Sequence, residues 1–281
     1  MTPAIFRESF VLKSSSGERI ACDLRHRKKE GPKPVVVICH SFMAFKDWGW
    51  FPFVATEIAK AGFATIVFNF SRNGVSEDPD RITDFDAFQR NTISHELEDL
   101  SVVLGSVQKG FIGEGSIQRD RIILLGHSRG GGLAIVTAVQ FRDVKALVTW
   151  SSVSTFDRWT QHQKEEWRKL GYLPLARDTA GSPLRLGLAL LEDVENNRKK
   201  QDIVKAAASI HIPWLIIHGT EDLTVRISEG EQLYAAADKT TTELFPLEKV
   251  GHQFDGPEVK EGSAIRGVVD VTVRWLNSIL F

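Results

Sequence analysis

The chain has 281 residues, 42% of them hydrophobic, and its 35 Lys and Arg residues nearly balance 36 Asp and Glu residues, giving a formal net charge of −1 at pH 7. This balance argues against a nucleic acid or an anionic membrane as a partner held by net charge. One α/β sheet with an insertion commonly reaches this length, so we predict one domain core rather than two independent domains.

The amino-terminal residues and the cysteines bear on the cellular compartment. Residues 1–10 contain Arg7 and Glu8 and no long apolar run, which is not the pattern of a secretory signal. No window approaches the ~20 apolar residues that a membrane helix needs. Cys22 and Cys39 lie in predicted strands without metal-type or redox-type spacing and are expected to be buried thiols. We therefore expect a cytoplasmic protein without a membrane partner.

The predicted elements alternate between strands and helices along the chain. Residues 5–13 and 19–25 flank the turn sequence 14–17 and predict an opening antiparallel hairpin. Later strands are predicted, in chain order, at residues 34–39, 63–68, 121–125, 146–150, 213–218 and 242–247, and those at 34–39 and 213–218 are of buried character. Such alternation with helical segments predicts a largely parallel sheet with helices on both faces.

Two helices before residue 121 show clear boundaries. Residues 50–61 are helix-like and stop at Gly62. Apolar residues that recur at three-to-five spacing from Phe85 to Val107 predict a single amphipathic helix ending near Gly110.

A glycine-rich turn carries the first candidate for chemistry. Residues 126–131 read Gly-His-Ser-Arg-Gly-Gly, directly after the strand 121–125 and before the helix-like run 133–139. In this context the G-x-S-x-G pattern predicts a nucleophile elbow, in which a strained strand-to-helix turn exposes the Ser128 hydroxyl. A glycine-rich turn that merely contains a serine is the alternative interpretation.

An acid and a histidine follow in the chain order that such an elbow requires. Asp222 follows the strand 213–218, and His252 follows the strand 242–247. Because the carboxyl ends of parallel strands meet at one edge of a sheet, we expect these side chains to approach Ser128. Two alternative acids stay open: Glu221, the neighbour of Asp222, and Asp157, which follows the strand 146–150.

Other polar residues are predicted to be structural. His127 is expected to pack against neighbouring strands, and His218 to be a hydrogen-bonded structural histidine. The segment 95–99 contains His95, Glu96 and Asp99 without metal-type spacing and predicts a solvated helix face. The Gly-Glu-Gly at 113–115 lacks the third glycine of a dinucleotide fingerprint. No cofactor and no metal is expected.

These motifs resemble the α/β-hydrolase superfamily over nearly the whole chain. The loop His40-Ser41-Phe42 resembles the His-Gly segment that supplies an oxyanion-hole amide in that superfamily, with Ser41 in place of the usual glycine. Residues 40–47 and 68–74 are similar to small bacterial esterases, including the dienelactone-hydrolase-like and hydroxycinnamoyl-esterase-like branches. The resemblance implies an α/β-hydrolase fold whose oxyanion hole is formed by the backbone N–H groups of Phe42 and Arg129.

The span 153–210 interrupts the strand rhythm for longer than an ordinary connection. The resemblance implies a helical cap insertion over the active site at this point, with the catalytic core formed by residues 1–152 and 211–281. A helical decoration packed away from the cleft is the alternative.

The function implied is a carboxylesterase-type serine hydrolase. It would cleave small carboxylic esters through an acyl-enzyme on Ser128, with His252 as the base and Asp222 orienting it. A peptidase or amidase of the same fold and a non-hydrolytic binding protein are the alternatives. The expected partner is a small-molecule ester, a homodimer is compatible with the sequence, and no nucleic acid is expected.

Overall fold

A computed structural model describes residues 4–28, 31–175 and 184–280. The strands of its main sheet are β1 (Ile5–Lys13), β2 (Arg19–Arg27), β3 (Lys33–Cys39), β4 (Ala64–Phe68), β5 (Ile117–His127), β6 (Val144–Trp150), β9 (Trp214–Gly219) and β10 (Thr242–Leu247). A separate antiparallel pair is formed by β7 (Tyr172–Pro174) and β8 (Arg185–Gly187). The helices of the described residues are α1 (Phe51–Lys60), α2 (Phe85–Gln89), α3 (Ile93–Lys109), α4 (Arg129–Ala138), α5 (Gln161–Leu170), α6 (Leu188–Asn196), α7 (Ile203–Ala207), α8 (Ile227–Ala236) and α9 (Ala264–Leu280).

The main sheet has eight strands in the order β1-β2-β4-β3-β5-β6-β9-β10. Strand β2 runs antiparallel to both β1 and β4. The pairs from β4 through β3, β5, β6 and β9 to β10 are all parallel. The predicted opening hairpin and the predicted, mostly parallel sheet are both confirmed.

Helices cover both faces because the central strands are apolar on both sides. Along β3, Val35 and Val37 join one buried core, while Val36 and Ile38 join the other. The first core includes apolar residues of α3, α4 and α7, and the second includes apolar residues of α1 and α9. This alternation follows from the two-residue period of a strand. The parallel pairing places the carboxyl ends of β3, β5, β9 and β10 at one edge of the sheet.

The helix predicted from Phe85 to Gly110 is two helices, so that prediction was wrong at residues 90–92, where the helix is interrupted. The α2 helix ends at Gln89, and Thr92 then caps α3 by accepting a hydrogen bond from the backbone N–H of His95. The predicted carboxyl end is confirmed, because Gly110 adopts φ 76° as the cap of α3. Thr92 therefore begins a second helix within the apolar periodicity, and α2 and α3 bury apolar residues in the same core.

The intervening segment, residues 153–210, contains α5, α6 and α7 together with the β7–β8 pair, which the sequence analysis did not predict. Residues 176–183 of this predicted cap lie outside the described residues. Asp193 of α6 joins the segment to the core by accepting a hydrogen bond from the backbone N–H of Ser94 at the start of α3 (2.9 Å). Within the part of the chain that the structure describes, no helix is both long enough and apolar enough to cross a membrane.

Candidate active site

The turn between β5 and α4 holds Ser128 in a strained backbone conformation. Ser128 has φ 57° and ψ −120°, a positive φ that an L-residue adopts at a cost. Its backbone N–H donates to the carbonyl of Trp150 at the end of β6 (2.9 Å). Neighbouring strands thus hold the elbow at the carboxyl edge of the sheet.

The glycines around Ser128 are required by close backbone contacts. A Cβ atom at Gly126 would lie 2.2 Å from the carbonyl oxygen of Gly130, and one at Gly130 would lie 2.3 Å from the carbonyl oxygen of Cys39. Real Cβ atoms essentially never approach backbone so closely. The G-x-S-x-G pattern is therefore the sequence signature of a tight crossing between β3, β5 and α4.

The structure brings Ser128, His252 and Asp222 into one hydrogen-bonded line. The Ser128 Oγ lies 3.0 Å from His252 Nε2, and His252 Nδ1 lies 2.7 Å from Asp222 Oδ2. Since a carboxylate only accepts, His252 carries its proton on Nδ1 and leaves Nε2 free to accept the serine proton. This geometry fits nucleophile activation by a base held in one tautomer.

The Asp222 carboxylate is buried and fully engaged. Its Oδ1 accepts hydrogen bonds from the backbone N–H groups of Thr224 (2.9 Å) and Val225 (2.8 Å). Burial alone would raise the pKa of the Asp222 carboxyl, but the hydrogen bonds from His252 and from these amides lower it below its usual range. Asp222 therefore stays charged opposite the His252 ring.

The two alternative acids lie elsewhere. The Asp157 carboxylate pairs with Lys164 Nζ at 2.6 Å and with Arg198 Nη2 at 3.4 Å, within the intervening segment. Glu221 is an exposed residue beside Asp222. Of the three acids considered, the structure gives Asp222 the contact with His252.

Two further histidines pack around this line, and both are buried as the sequence analysis predicted. His218 donates from Nε2 to the carbonyl of Val225 (2.8 Å), which closes the loop that carries Asp222. His127 donates from Nε2 to the carbonyl of His252 (3.0 Å), with the two ring centroids 4.8 Å apart. Burial lowers the pKa of His127 to about 3, so the ring is neutral.

The two predicted oxyanion donors lie in different segments, Arg129 at the start of α4 and Phe42 in the loop after β3. Arg129 is the first residue of α4, so its N–H has no acceptor within that helix. Phe42 lies in the loop after β3, where Ser41 replaces the glycine of the resembled motif. Among residues 40–46, the left-handed φ falls on Met43 (60°) and not on Ser41. Serine at position 41 therefore needs no glycine-like conformation.

The prediction of a solvated face for the segment 95–99 was wrong for Glu96 and Asp99, which are both buried. Glu96 Oε1 lies 3.5 Å from Arg129 Nη1, and Asp99 accepts a hydrogen bond from the backbone N–H of Ser71 (2.7 Å). Burial raises the pKa of the Glu96 carboxyl, with Arg129 acting in the opposite direction. Helical spacing could have revealed this, since Glu96 stands four and seven residues before the core residues Leu100 and Val103.

No group of three or more metal-ligating side chains that could hold an ion occurs among the residues described.

Two protein-family models match parts of the chain. A family model of the alpha/beta hydrolase fold matches residues 34–179, and a model of the BAAT/acyl-CoA thioester hydrolase C-terminal region matches residues 112–259. Each match covers just over half of the chain. The chain therefore belongs to the α/β-hydrolase family, as the sequence resemblance predicted. No curated protein sequence matches the chain.

Solved structures with this fold cover nearly the whole chain. The alpha/beta hydrolase GrgF from Penicillium sp. sh18 has a TM-score of 0.75 at 13% identity, over 97% of this chain and 98% of that one. Est1E from Butyrivibrio proteoclasticus, solved with ferulic acid bound, has a TM-score of 0.68 at 18% identity, over 96% and 98%. A putative dienelactone hydrolase from Klebsiella pneumoniae has a TM-score of 0.63 at 18% identity, over 97% and 98%. At such low identity these similarities establish the fold.

Proposed function

We propose that this chain is a serine hydrolase that cleaves small carboxylic esters through an acyl-enzyme on Ser128. One observation carries the proposal: the continuous contact from Asp222 Oδ2 to His252 Nδ1 (2.7 Å) and from His252 Nε2 to Ser128 Oγ (3.0 Å). The family match supports it, because esterases and thioester hydrolases of this fold perform acyl transfer.

Acylation begins when Ser128 Oγ attacks the ester carbonyl carbon and His252 Nε2 takes the serine proton. The carbonyl oxygen becomes an oxyanion, which the backbone N–H groups of Phe42 and Arg129 meet, each worth about 3 kcal/mol of barrier. The tetrahedral intermediate collapses to the acyl-enzyme, and His252 returns the proton to the departing alcohol.

Deacylation repeats these steps with water as the nucleophile. His252 removes a proton from the water as it attacks the acyl carbon, and then protonates Ser128 Oγ as the acid leaves. Asp222 stabilises the imidazolium that forms twice per cycle and holds the ring in the productive tautomer. The hydrogen bond from His252, together with those from the backbone N–H groups of Val225 and Thr224, lowers the pKa of the Asp222 carboxyl and keeps it charged.

The intervening segment is proposed to be the cap that selects substrates. Its first residue, Val153, donates a backbone hydrogen bond to the Ser128 carbonyl (3.3 Å). A Cβ atom at Gly132 of α4 would lie 2.7 Å from Ile203 and 3.1 Å from Phe156, so both ends of the segment press on the helix that follows the nucleophile. The segment carries none of the three proposed catalytic side chains.

The test is covalent labelling followed by turnover. A fluorophosphonate probe should label the unmodified chain, and Ser128→Ala should abolish both labelling and ester hydrolysis while circular dichroism stays unchanged. Ser152→Ala, at a buried serine near the elbow, is the matched control and should keep the label. An alanine variant at position 128 with near-normal turnover would refute the serine mechanism.

A thioester is a second candidate substrate class, favoured by the match to the acyl-CoA thioester hydrolase model. Oxygen esters, thioesters and aminoacyl amides that share one acyl group distinguish the candidates. We expect kcat/KM to be highest for the oxygen ester. A preference for the thioester would reassign the substrate, and a preference for the amide would indicate a peptidase or amidase.

A further inference from the structure

We propose that the side chain of Arg129 sets the spacing of the two oxyanion donors. The inference rests on the proposed function, because it concerns the same reaction. It makes Arg129 a positioning residue through its guanidinium group, in addition to the donor role proposed for its backbone N–H.

Two segments that are far apart in the sequence are in contact through the side chains of Arg129 and Phe42. The guanidinium carbon of Arg129 lies 3.9 Å from the centre of the Phe42 ring. Arg129 begins α4, and Phe42 lies in the loop after β3. The residue that would supply one donor therefore touches, with its side chain, the residue that would supply the other.

Both partners of this contact are held from a second side. Arg129 Nη1 lies 3.5 Å from Glu96 Oε1, which also accepts a hydrogen bond from Asn91 Nδ2 (2.8 Å). The Phe42 ring stacks on Phe88 of α2, with ring centroids 5.9 Å apart. The α2–α3 region thus supports the arginine through Glu96 and the aromatic ring through Phe88.

Burial explains why this contact resists displacement. The Arg129 side chain is only 13% exposed and that of Glu96 6% exposed, so neither charge can exchange its partner for bulk water at low cost. A guanidinium stacks flat on an aromatic face, whereas a lysine ammonium is a compact, strongly hydrated charge. The planar group is therefore suited to fixing the distance between the loops.

The pairing with Glu96 also argues against a simpler role for Arg129 as a receptor for an anionic substrate. A guanidinium already balanced by a buried carboxylate presents little net charge to a ligand. Misplacement of a reacting group by about 1 Å can cost about 100-fold in rate, so loss of the spacing should appear in kcat.

The experiment compares Arg129→Met, Arg129→Lys and Phe42→Leu with the unmodified chain on a neutral and on an anionic p-nitrophenyl ester. We expect kcat to fall about 10- to 100-fold in each, with KM nearly unchanged. A trifluoromethyl ketone forms a hemiketal with the Ser128 hydroxyl and places an oxyanion in the hole. The affinity for this inhibitor should fall together with kcat. Because both substitutions disrupt one contact, the double variant Arg129→Met with Phe42→Leu should lose little more than the worse single variant.

The matched control is Arg266→Met on α9, which removes a guanidinium whose central carbon lies 4.9 Å from the centre of the Phe53 ring of α1, outside the site. It should leave kcat and inhibitor affinity within about twofold. Thermal unfolding of each variant verifies the fold, and Phe42→Leu serves if Arg129→Met does not fold.

Three results separate the outcomes. Folded variants that keep both kcat and inhibitor affinity would overturn the positioning role while leaving the proposed function intact. A rise in KM confined to anionic esters would overturn it in favour of substrate-anion binding. Failure of the unmodified chain to react with fluorophosphonate or to hydrolyse any acyl substrate would instead refute the proposed function itself.

Discussion

The His127 ring donates a hydrogen bond to the main-chain carbonyl of His252 over 3.0 Å. The residue immediately before the elbow serine thereby anchors the loop that carries the proposed base. Two segments at distant points of the chain are joined through a neutral, buried imidazole. The contact gives a structural reason for the side chain at the variable position between Gly126 and Ser128.

Substitution of the acid should separate Asp222 from its rivals. Asp222→Asn keeps the shape but favours the wrong imidazole tautomer, and kcat should fall about 10⁴-fold. Glu221→Gln, at the exposed neighbour, is the matched control, and Asp157→Asn removes a carboxylate that pairs with Lys164. Steady-state kinetics on one ester checks all three. A large loss in Asp157→Asn with an active Asp222→Asn would move the acid to Asp157.

The buried histidines predict a pH-dependent stability. Burial lowers the pKa of His127 to about 3 and that of His40 to about 4, against 6.5 for a free histidine. The native state therefore binds fewer protons than the unfolded state, and their contribution to stability is complete above pH 6.5 and lost as pH falls toward these values. Each ring contributes a slope of at most about 1.4 kcal/mol per pH unit.

Asp99 acts in the opposite direction, because burial raises the pKa of its carboxyl to about 6. Both the unmodified chain and His127→Gln carry Asp99. The difference between their free energies of unfolding at each pH is therefore free of the Asp99 contribution. Denaturant unfolding between pH 4 and 7 should show a shallower rise for His127→Gln, whose amide can still donate to the His252 carbonyl. His162→Gln, at an exposed position, should match the unmodified chain. Identical slopes for all three proteins would contradict the assignment.

Alanine substitutions should show that the elbow glycines are required by close backbone contacts and not by a need for backbone flexibility. Gly130→Ala forces a Cβ to 2.3 Å from the Cys39 carbonyl oxygen and should destabilise the fold by about 3 kcal/mol or more. Gly267→Ala on α9 meets no atom within 4 Å and should stabilise by about 0.5 to 1 kcal/mol through helix propensity. Thermal unfolding measures both. Equal effects at the two positions would remove the close-crossing explanation of the elbow glycines.

Loosening the intervening segment should alter selectivity before it alters reactivity. Asp193 accepts hydrogen bonds from the Ser94 backbone N–H (2.9 Å) and the Gln201 Nε2 (2.9 Å), so Asp193→Ala removes a helix cap and a clamp between segment and core. We expect about 1 to 2 kcal/mol less stability, retained fluorophosphonate labelling and an altered ranking of acyl chain lengths. Asp202→Ala, which removes the local cap of α7, is the control for a simple loss of helix stability. An unchanged ranking in Asp193→Ala would make the segment structural.

Local patterns in the sequence were sufficient for most of the sheet. The strands around Val35–Val37, Ile122–Leu125 and Ile216 are apolar on both faces, and such runs identify buried parallel strands without tertiary information. The close approach of Ser128, Asp222 and His252 was also predictable, because each follows a predicted strand at its carboxyl end and parallel strands bring these ends to one edge of the sheet.

The remainder depends on contacts that no local pattern contains. The Arg129–Phe42 stack joins the start of α4 to the loop after β3. The distance between these two segments is fixed only when β3 and β5 pair in register. The three-residue strands β7 and β8 have too few residues for a periodicity to appear. Glu96 is different, because its helical register was visible in the sequence. A carboxylate is rarely buried unless it is paired, however, and its partner Arg129 was not known.

The parallel pairing of β6 with β9 limits how the intervening segment could be exchanged between proteins. Trp150 at the end of β6 pairs with Ile217, and Trp214 at the start of β9 pairs with Leu147, so the chain leaves one edge of the sheet and re-enters at the other. The α7 helix, whose Ile203 and Ala207 are buried in the core shared with α4, forms part of that obligatory return path. A foreign insertion is therefore best connected to this chain before Asp202, so that α7 is kept, rather than directly at the start of β9. Recombination at that point would exchange α5, α6 and the β7–β8 pair and leave the crossover intact.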